Sequence, residues 1–322
     1  FVRDAEGNLT GVMKNNVAFL QVLSKYPGLA EAQPTEALVG LLSKWSQYGL
    51  TTVSELSLGG ISHSPSDASV MYEAARSGRL AAGIRAYPFY TIDADAWDEA
   101  GVKPNDGDAL ARIAGYKLVA DGSNQGFTGR QREPYYTRDT VGIFYVEPDA
   151  LRAAVLDRGR RGWPLSIHGN GDAAIDSILD AVENARDEGV DVKALRCRIE
   201  HCSILHDEQI KRIAALGMVP SFLINHVHYW GHVMRDQVFG PEKVQLLDRC
   251  ASVEKAGLNW VIHTDAPVSP LGTLPKIRVA VARDLWAEPD TILAPDERRD
   301  RAKVGLHARA KDKARLFADE IG

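Results

Sequence analysis

The chain has 322 residues, 45% of them hydrophobic and 25% charged, and a net charge of −5 at pH 7. This is the balance of an ordinary globular protein. Acidic and basic residues are mixed along the chain, which argues against nucleic acid or a membrane surface as a partner. No apolar run approaches the ~20 residues of a membrane span. The three cysteines form no CxxC pair, which favours a reducing, cytoplasmic compartment.

Seven short apolar runs recur along the chain, and each is followed by a polar or glycine-rich turn and then an amphipathic stretch. Strands that alternate with helices indicate parallel pairing through right-handed crossovers. The runs predict strands at 50–54, 83–87, 116–120, 164–168, 197–201, 218–222 and 260–264. Helices are predicted over 34–48, 149–161, 172–186, 207–216 and 241–255.

Polar residues follow nearly every run, which favours a barrel over an open sheet. A barrel collects its catalytic residues at the carboxyl-terminal rim, whereas a doubly wound sheet carries a GxGxxG turn that this sequence lacks. A closed barrel of this class needs eight strands, and no strand is evident before Pro27. We therefore predict an α/β fold, a TIM-like (β/α)8 barrel that forms one domain over 1–322 and lacks its first strand.

Four side chains from four different runs are candidates for one rim site: Lys117, His168, His201 and Asp265. Imidazole nitrogens and anionic oxygens suit zinc and related divalent metals, and a rim carboxylate can take a proton from water. Each residue alone has a structural explanation, such as a hydrogen-bonded histidine, a turn aspartate or a snorkelling lysine. The four together predict a metal site.

The segments around these residues resemble successive motifs of the amidohydrolase superfamily, closest to its YtcJ-like, or amidohydrolase 3, branch. The segments are KLVADGS at 117–123, HGNGD at 168–172, RIEH at 198–201 and HTDAPV at 263–268. Their order and spacing match from about residue 4 to residue 322. The resemblance implies a metal-dependent hydrolase of carbon–nitrogen bonds other than peptide bonds, acting on a small-molecule amide or N-substituted formamide. It implies one or two divalent ions, with zinc as the first expectation.

The resemblance also assigns a role to each of the four residues. Lys117 corresponds to the lysine that is carboxylated to bridge two metals, and burial in an apolar strand favours the neutral amine that this requires. His168 and His201 correspond to ligands of the second metal. Asp265 corresponds to the metal ligand that acts as general base on the attacking water.

Two parts of the family pattern are missing from this sequence. The HxH pair that follows the family's first strand is absent, as is the small β-sandwich built from both termini. His226 and His228 have HxH spacing but follow the run at 218–222. With Trp230 they predict a loop, either a wall of the substrate pocket or a packed aromatic loop. Ser123 and Asn124 are expected either to hydrogen-bond substrate or only to form a tight turn.

Alternatives to a working hydrolase remain open. Without HxH the chain could be a truncated or inactive barrel. A lyase or aldolase with Lys117 as Schiff-base amine would leave His168 and His201 unused. A barrel without one strand exposes two strand edges, which predicts either a homo-oligomer or another segment that covers the gap.

Overall fold

The computed structural model describes residues 1–13, 21–23, 25–26 and 33–300. The β-strands in these ranges pair in parallel with their neighbours. They are β1 (Thr52–Leu58), β2 (Gly83–Pro88), β3 (Ala111–Ile113), β4 (Tyr116–Val119), β5 (Leu165–Gly169), β6 (Arg198–His201), β7 (Val219–Phe222) and β8 (Val261–Ile262).

Helices follow most of the strands, as the alternating pattern predicts. In the described part of the chain, no helix combines the length and the hydropathy that a membrane span requires. The α-helices are α1 (Pro34–Ser46), α2 (Asp67–Arg76), α3 (Ala94–Glu99), α4 (Pro148–Arg160), α5 (Asp172–Asp187), α6 (Val192–Leu195), α7 (Asp207–Leu216), α8 (Asn225–Val233), α9 (Gly240–Lys243), α10 (Cys250–Lys255) and α11 (Thr273–Ala282).

The strands form two sheets that are joined at Lys117. One sheet has the order β1-β2-β3 and the other has the order β4-β5-β6-β7-β8. The Tyr90 amide donates to the Lys117 carbonyl at 3.1 Å, and the Ala114 amide donates to Ala86 at 2.8 Å. β3 and β4 therefore lie one after the other along the same edge of β2 and its extension. All seven predicted strands are confirmed, and among the described residues β1 and β8 do not pair with each other.

The two-residue period of the strands separates an apolar face from a polar one. Leu118, Ile167 and Ile199 alternate with polar side chains and belong to the hydrophobic core. The neighbouring residues Ser166 and Glu200 are equally buried, and they hydrogen-bond to each other at 2.7 Å on the opposite face. The face of the sheet that points into the barrel therefore carries polar and charged groups at Ser166 and Glu200.

The helix predicted over 241–255 is wrong in one respect, because the chain breaks it between α9 and α10. Asp248 has a φ of 48° in the left-handed region, which an α-helix does not allow for an L-residue. Its amide donates to the Ser203 carbonyl at 2.9 Å. The buried Arg283 donates to the Leu247 and Asp248 carbonyls at 2.8 and 3.0 Å. Contacts with distant segments thus replace the helical hydrogen bonds.

Gly115, at the break between β3 and β4, gives a test of this packing. A Cβ there would overlap the Pro164 carbonyl oxygen and lie 2.6 Å from the Tyr87 ring. We expect Gly115→Ala to lower the free energy of unfolding by about 1–3 kcal/mol, because overpacking displaces rigid neighbours. Urea unfolding measures the change.

The matched control is Gly40→Ala in α1, where an added Cβ meets nothing within 4 Å. Alanine there should be neutral or stabilise the protein by about 0.5–1 kcal/mol. Equal effects of the two substitutions would contradict the tight contact at Gly115.

Candidate functional site

Three histidines meet at the carboxyl-terminal edge of the five-stranded sheet, at the ends of β5, β6 and β8. His168 and His201 have ring centroids 4.3 Å apart, and His201 and His263 have ring centroids 5.1 Å apart. The structure thus brings together the two histidines that the sequence singled out. His263 was quoted within a motif but given no role, although it follows an apolar run as His168 and His201 do.

Lys117 lies in β4 with its side chain buried, opposite Ser166 on β5. Burial lowers the pKa of Lys117 to about 8, while the negative charges of Glu200 and Asp265 act in the opposite direction. The side chain does not reach the surface, so the snorkelling alternative does not hold. A lysine in this position is neutral more readily than an exposed one.

Two of the predicted site residues have unusual backbone conformations. His201 has a φ of 68° and Asp265 a φ of 50°, both in the left-handed region. Non-glycine residues rarely adopt this region, and such residues cluster at functional sites. Asp265 is exposed just beyond β8, and its charge acts on both Lys117 and His263. Asp265 therefore lies within electrostatic reach of the cluster.

His168 is held by groups that the sequence did not reveal. Its Nε2 lies 3.0 Å from the Gly122 carbonyl and 3.4 Å from Oδ1 of Asp121. The Asn170 side-chain amide donates to the same carbonyl at 2.9 Å and lies 3.0 Å from the His168 Nε2. The Gly122 carbonyl can only accept and the Asn170 amide nitrogen can only donate, so His168 Nε2 faces one acceptor and one donor.

Asp121 is the fixed point of this arrangement. Its fully buried carboxylate accepts the backbone amides of Arg130, Asn170 and Gly171 at 2.8, 2.9 and 2.8 Å. It therefore ties the segment after β4 to the segment after β5, next to His168.

A buried ion pair lies below the histidines. The Arg198 Nε donates to Oε1 of Glu200 at 2.8 Å, and the guanidinium of Arg198 lies over the Tyr87 ring, 5.3 Å from its centroid. Burial opposes ionisation of Glu200, but Arg198, Lys117 and His263 together lower its pKa to about 2. Glu200 was part of the RIEH motif, yet sequence reasoning gave it no role.

The prediction that His226 and His228 lie in a loop is wrong, because both belong to α8. His226 is buried, and its Nε2 lies 2.7 Å from the Gln125 side-chain nitrogen. Burial, together with the nearby His263 and His168, lowers the pKa of His226 to about 3. His228 instead places its Nδ1 2.8 Å from the Asp284 carbonyl. The two rings therefore have different surroundings.

The other predicted substrate-binding residues lie in separate environments. Asn124 is buried, and its side-chain oxygen accepts from Gln131 at 3.0 Å. Ser123 is exposed, and its hydroxyl accepts the Gly126 amide at 3.2 Å. Trp230 is partly exposed on α8. The Asn124 and Ser123 contacts are those of a tight turn, and a contact with substrate stays a prediction for all three residues.

The donor chemistry of the cluster suits a divalent metal, but its present arrangement is incomplete. Imidazole nitrogens such as those of His168 and His201 are ordinary zinc ligands. Within the residues that the structure describes, no three His, Cys, Asp or Glu side chains are placed to hold a metal ion. A lysine amine does not belong to that set, and Lys117 would offer oxygen atoms only as a carbamate.

Comparison with known proteins identifies the family. A model of the amidohydrolase family matches residues 1–320. The chain belongs to the amidohydrolase family. The family membership predicted from the four motifs is thereby confirmed.

Two curated relatives of this amidohydrolase are informative. "Putative amidohydrolase YtcJ" of Bacillus subtilis (strain 168) is 26% identical over 308 residues, which are 88% of this chain and 52% of that protein. The N-substituted formamide deformylase of Arthrobacter pascens is 28% identical over 161 residues, 49% of this chain and 29% of that protein. The chain thus spans about half the length of the first relative and less of the second.

Solved structures support the fold. An uncharacterized metal-dependent hydrolase from Pyrococcus furiosus superimposes with a TM-score of 0.77 at 21% identity, covering 94% of this chain and 59% of that one. A second such hydrolase, from Pyrococcus horikoshii, gives a TM-score of 0.75 at 22% identity, covering 89% and 56%. The TM-scores support the TIM-barrel prediction, with the barrel open in the described part of the chain.

The depressed pKa of His226 makes stability depend on pH. Its folded pKa of about 3 lies below the ordinary histidine pKa of 6.5, so the unfolded chain binds the proton first as the pH falls. The stabilisation is complete above pH 6.5 and is lost as the pH falls towards 3. We expect this group alone to cost the metal-free protein about 2 kcal/mol between pH 7 and pH 5.

Urea unfolding at several pH values measures the slope in the parent and in His226→Gln, which should show a shallower loss. His63→Gln, which removes an exposed loop histidine, is the matched control and should keep the parent slope. A His226→Gln slope equal to that of the parent would contradict the burial of a neutral imidazole.

Proposed function

We propose that this amidohydrolase is a metal-dependent hydrolase of a carbon–nitrogen bond that is not a peptide bond, such as an amide or an N-substituted formamide. The observation that carries the proposal is the convergence of His168 and His201 with the buried Lys117 at one mouth of the parallel sheet. The deformylase relative acts on a bond of this class by its name. Zinc is the ion that we propose first, because its ligands in proteins are imidazoles and anionic oxygens.

In this proposal the metal would be held by His168, His201, Asp265 and Lys117 as its carbamate. The carbamate forms when the neutral Lys117 amine attacks carbon dioxide, so that a carbon–nitrogen bond forms and a proton leaves. The lowered pKa of Lys117, about 8 and caused first by burial, makes the neutral amine accessible. When bound, the metal would supply an activated water.

The protein's own groups would manage the protons. The Asp265 carboxylate, at the exposed end of β8, would accept a proton from the attacking water and deliver it to the leaving nitrogen. Its position past the strand end leaves it open to solvent and substrate, whereas Glu200 is buried and already paired with Arg198. Asp265 is therefore the better candidate for general base.

Substitution of Asp265 tests this role. With the zinc-loaded protein and a panel of N-substituted formamides and amides, we expect Asp265→Asn to lower kcat by about 10²–10⁴-fold while bound metal, measured by elemental analysis, is retained. Asp139→Asn changes an exposed loop carboxylate and should leave kcat unchanged. Normal turnover of Asp265→Asn would exclude it as the base.

Metal content separates the hydrolase from the alternative of an inactive barrel. About one equivalent of zinc or more in the parent would support a working site. No bound zinc, even after the ion is added, would favour a barrel without catalytic activity.

A further inference from the structure

Two arginines lie side by side on the inner face of the three-stranded sheet. Arg85 of β2 and Arg112 of β3 are directly opposite each other in the parallel register. Their strand neighbours, such as Ile84 and Ile113, belong to the hydrophobic core, so both arginine side chains leave the sheet on its other face. Because paired strands are only about 4.8 Å apart, two positive charges lie next to each other.

Neither arginine forms an ion pair with a carboxylate in the described part of the chain. Arg85 donates to two backbone carbonyl oxygens, at 2.9 and 3.2 Å. The Arg112 guanidinium makes no hydrogen bond to any of the described residues, and its Nε is buried without a partner. The Asp108 carboxylate on the adjoining turn instead accepts two backbone amides of that turn, at 2.7 and 2.9 Å.

The arginine pair is unfavourable unless an anion accompanies it. Like charges directly opposite each other on a sheet destabilise it, and both side chains are partly buried, so salt screens them less than it screens exposed charges. Ser54, which continues the row on β1, carries no charge. An arginine cannot relieve the repulsion by losing a proton, because its guanidinium stays charged in proteins.

The two guanidinium groups specify which anion would fit between them. Each presents a planar fork of N–H donors that suits the oxygen atoms of phosphate and carboxylate groups. Two adjacent positive charges match an anion that carries two negative charges. We propose that Arg85 and Arg112 form a binding site for a small doubly charged oxyanion, of which hydrogen phosphate is the representative.

The proposed anion site is separate from the histidine cluster. Lys117 pairs with Phe89, which lies four residues beyond Arg85, or about 13 Å at the rise of a parallel strand. Arg85 therefore lies towards the amino-terminal end of the strands, where residues of a barrel contribute to stability rather than to catalysis. The anion site goes beyond the proposed hydrolase function and does not depend on it, and its ligand should stabilise the fold.

Phosphate binding to the metal-free parent tests the site directly. Isothermal titration calorimetry with sodium phosphate at slightly alkaline pH should show one saturable site, for which sulfate competes. Urea unfolding at constant ionic strength should show a matching stabilisation, since a ligand of the folded state at ten times its dissociation constant lowers the unfolding constant about 11-fold. No saturable phosphate binding would overturn the proposal, and acetate binding as tight as that of phosphate would contradict the double charge.

Neutral substitutions separate a bound anion from a general salt effect. Phosphate and sulfate also stabilise proteins without a site, because they are excluded from the protein surface. Arg85→Gln and Arg112→Gln should each abolish the saturable response, and in chloride each should be at least as stable as the parent, because the repulsion is gone. Arg112→Lys keeps the charge but loses the fork, so it should bind phosphate more weakly than the parent and more tightly than Arg112→Gln.

The matched control is Arg76→Gln, which neutralises an exposed arginine at the end of α2. Its phosphate response should equal that of the parent. An equal response in the parent, Arg85→Gln and Arg112→Gln would overturn the proposal, since the stabilisation would then be the general salt effect.

Discussion

The negative charge of Glu200, held inside the barrel wall, is the constraint on which the site depends. An unpaired buried carboxylate would cost several kcal/mol of desolvation, and here Arg198 and the Ser166 hydroxyl offset that cost. Arg198, rather than Lys117, makes the direct ion pair. Lys117 therefore shares the field of Glu200 without direct pairing, and burial decides its pKa. Glu200 thus opposes the neutral form of Lys117, and burial outweighs that opposition.

The parts of the site that were predictable are those where a polar side chain ends an apolar run. His168 and His201 end such runs, and Lys117 interrupts one, so each departs from the local pattern. Glu200 and Ser221 do not depart from it, since a polar residue inside a strand also fits a solvent-facing position. Only the tertiary structure shows that both faces of these strands are covered.

The two wrong predictions have different physical causes. The helix over 241–255 breaks at Asp248 because Ser203 and Arg283 take up its backbone groups, and neither partner is visible in the local sequence. HxH spacing places two side chains on one face of a strand, but on a helix residues two apart do not face each other. Once α8 forms, His226 and His228 necessarily separate.

The five-stranded sheet alone is sufficient to bring the described site residues together. Lys117, His168, His201, Ser221 and His263 come from or directly follow β4 to β8, which pair in unbroken order. The sheet of β1 to β3 meets this assembly through the Lys117 carbonyl, which accepts the Tyr90 amide. Since the same residue joins the sheets and lies in the electrostatic field of Glu200, a shift of β2 against β4 would act on the backbone of the lysine. The relative placement of the two sheets therefore bears on the site through Lys117.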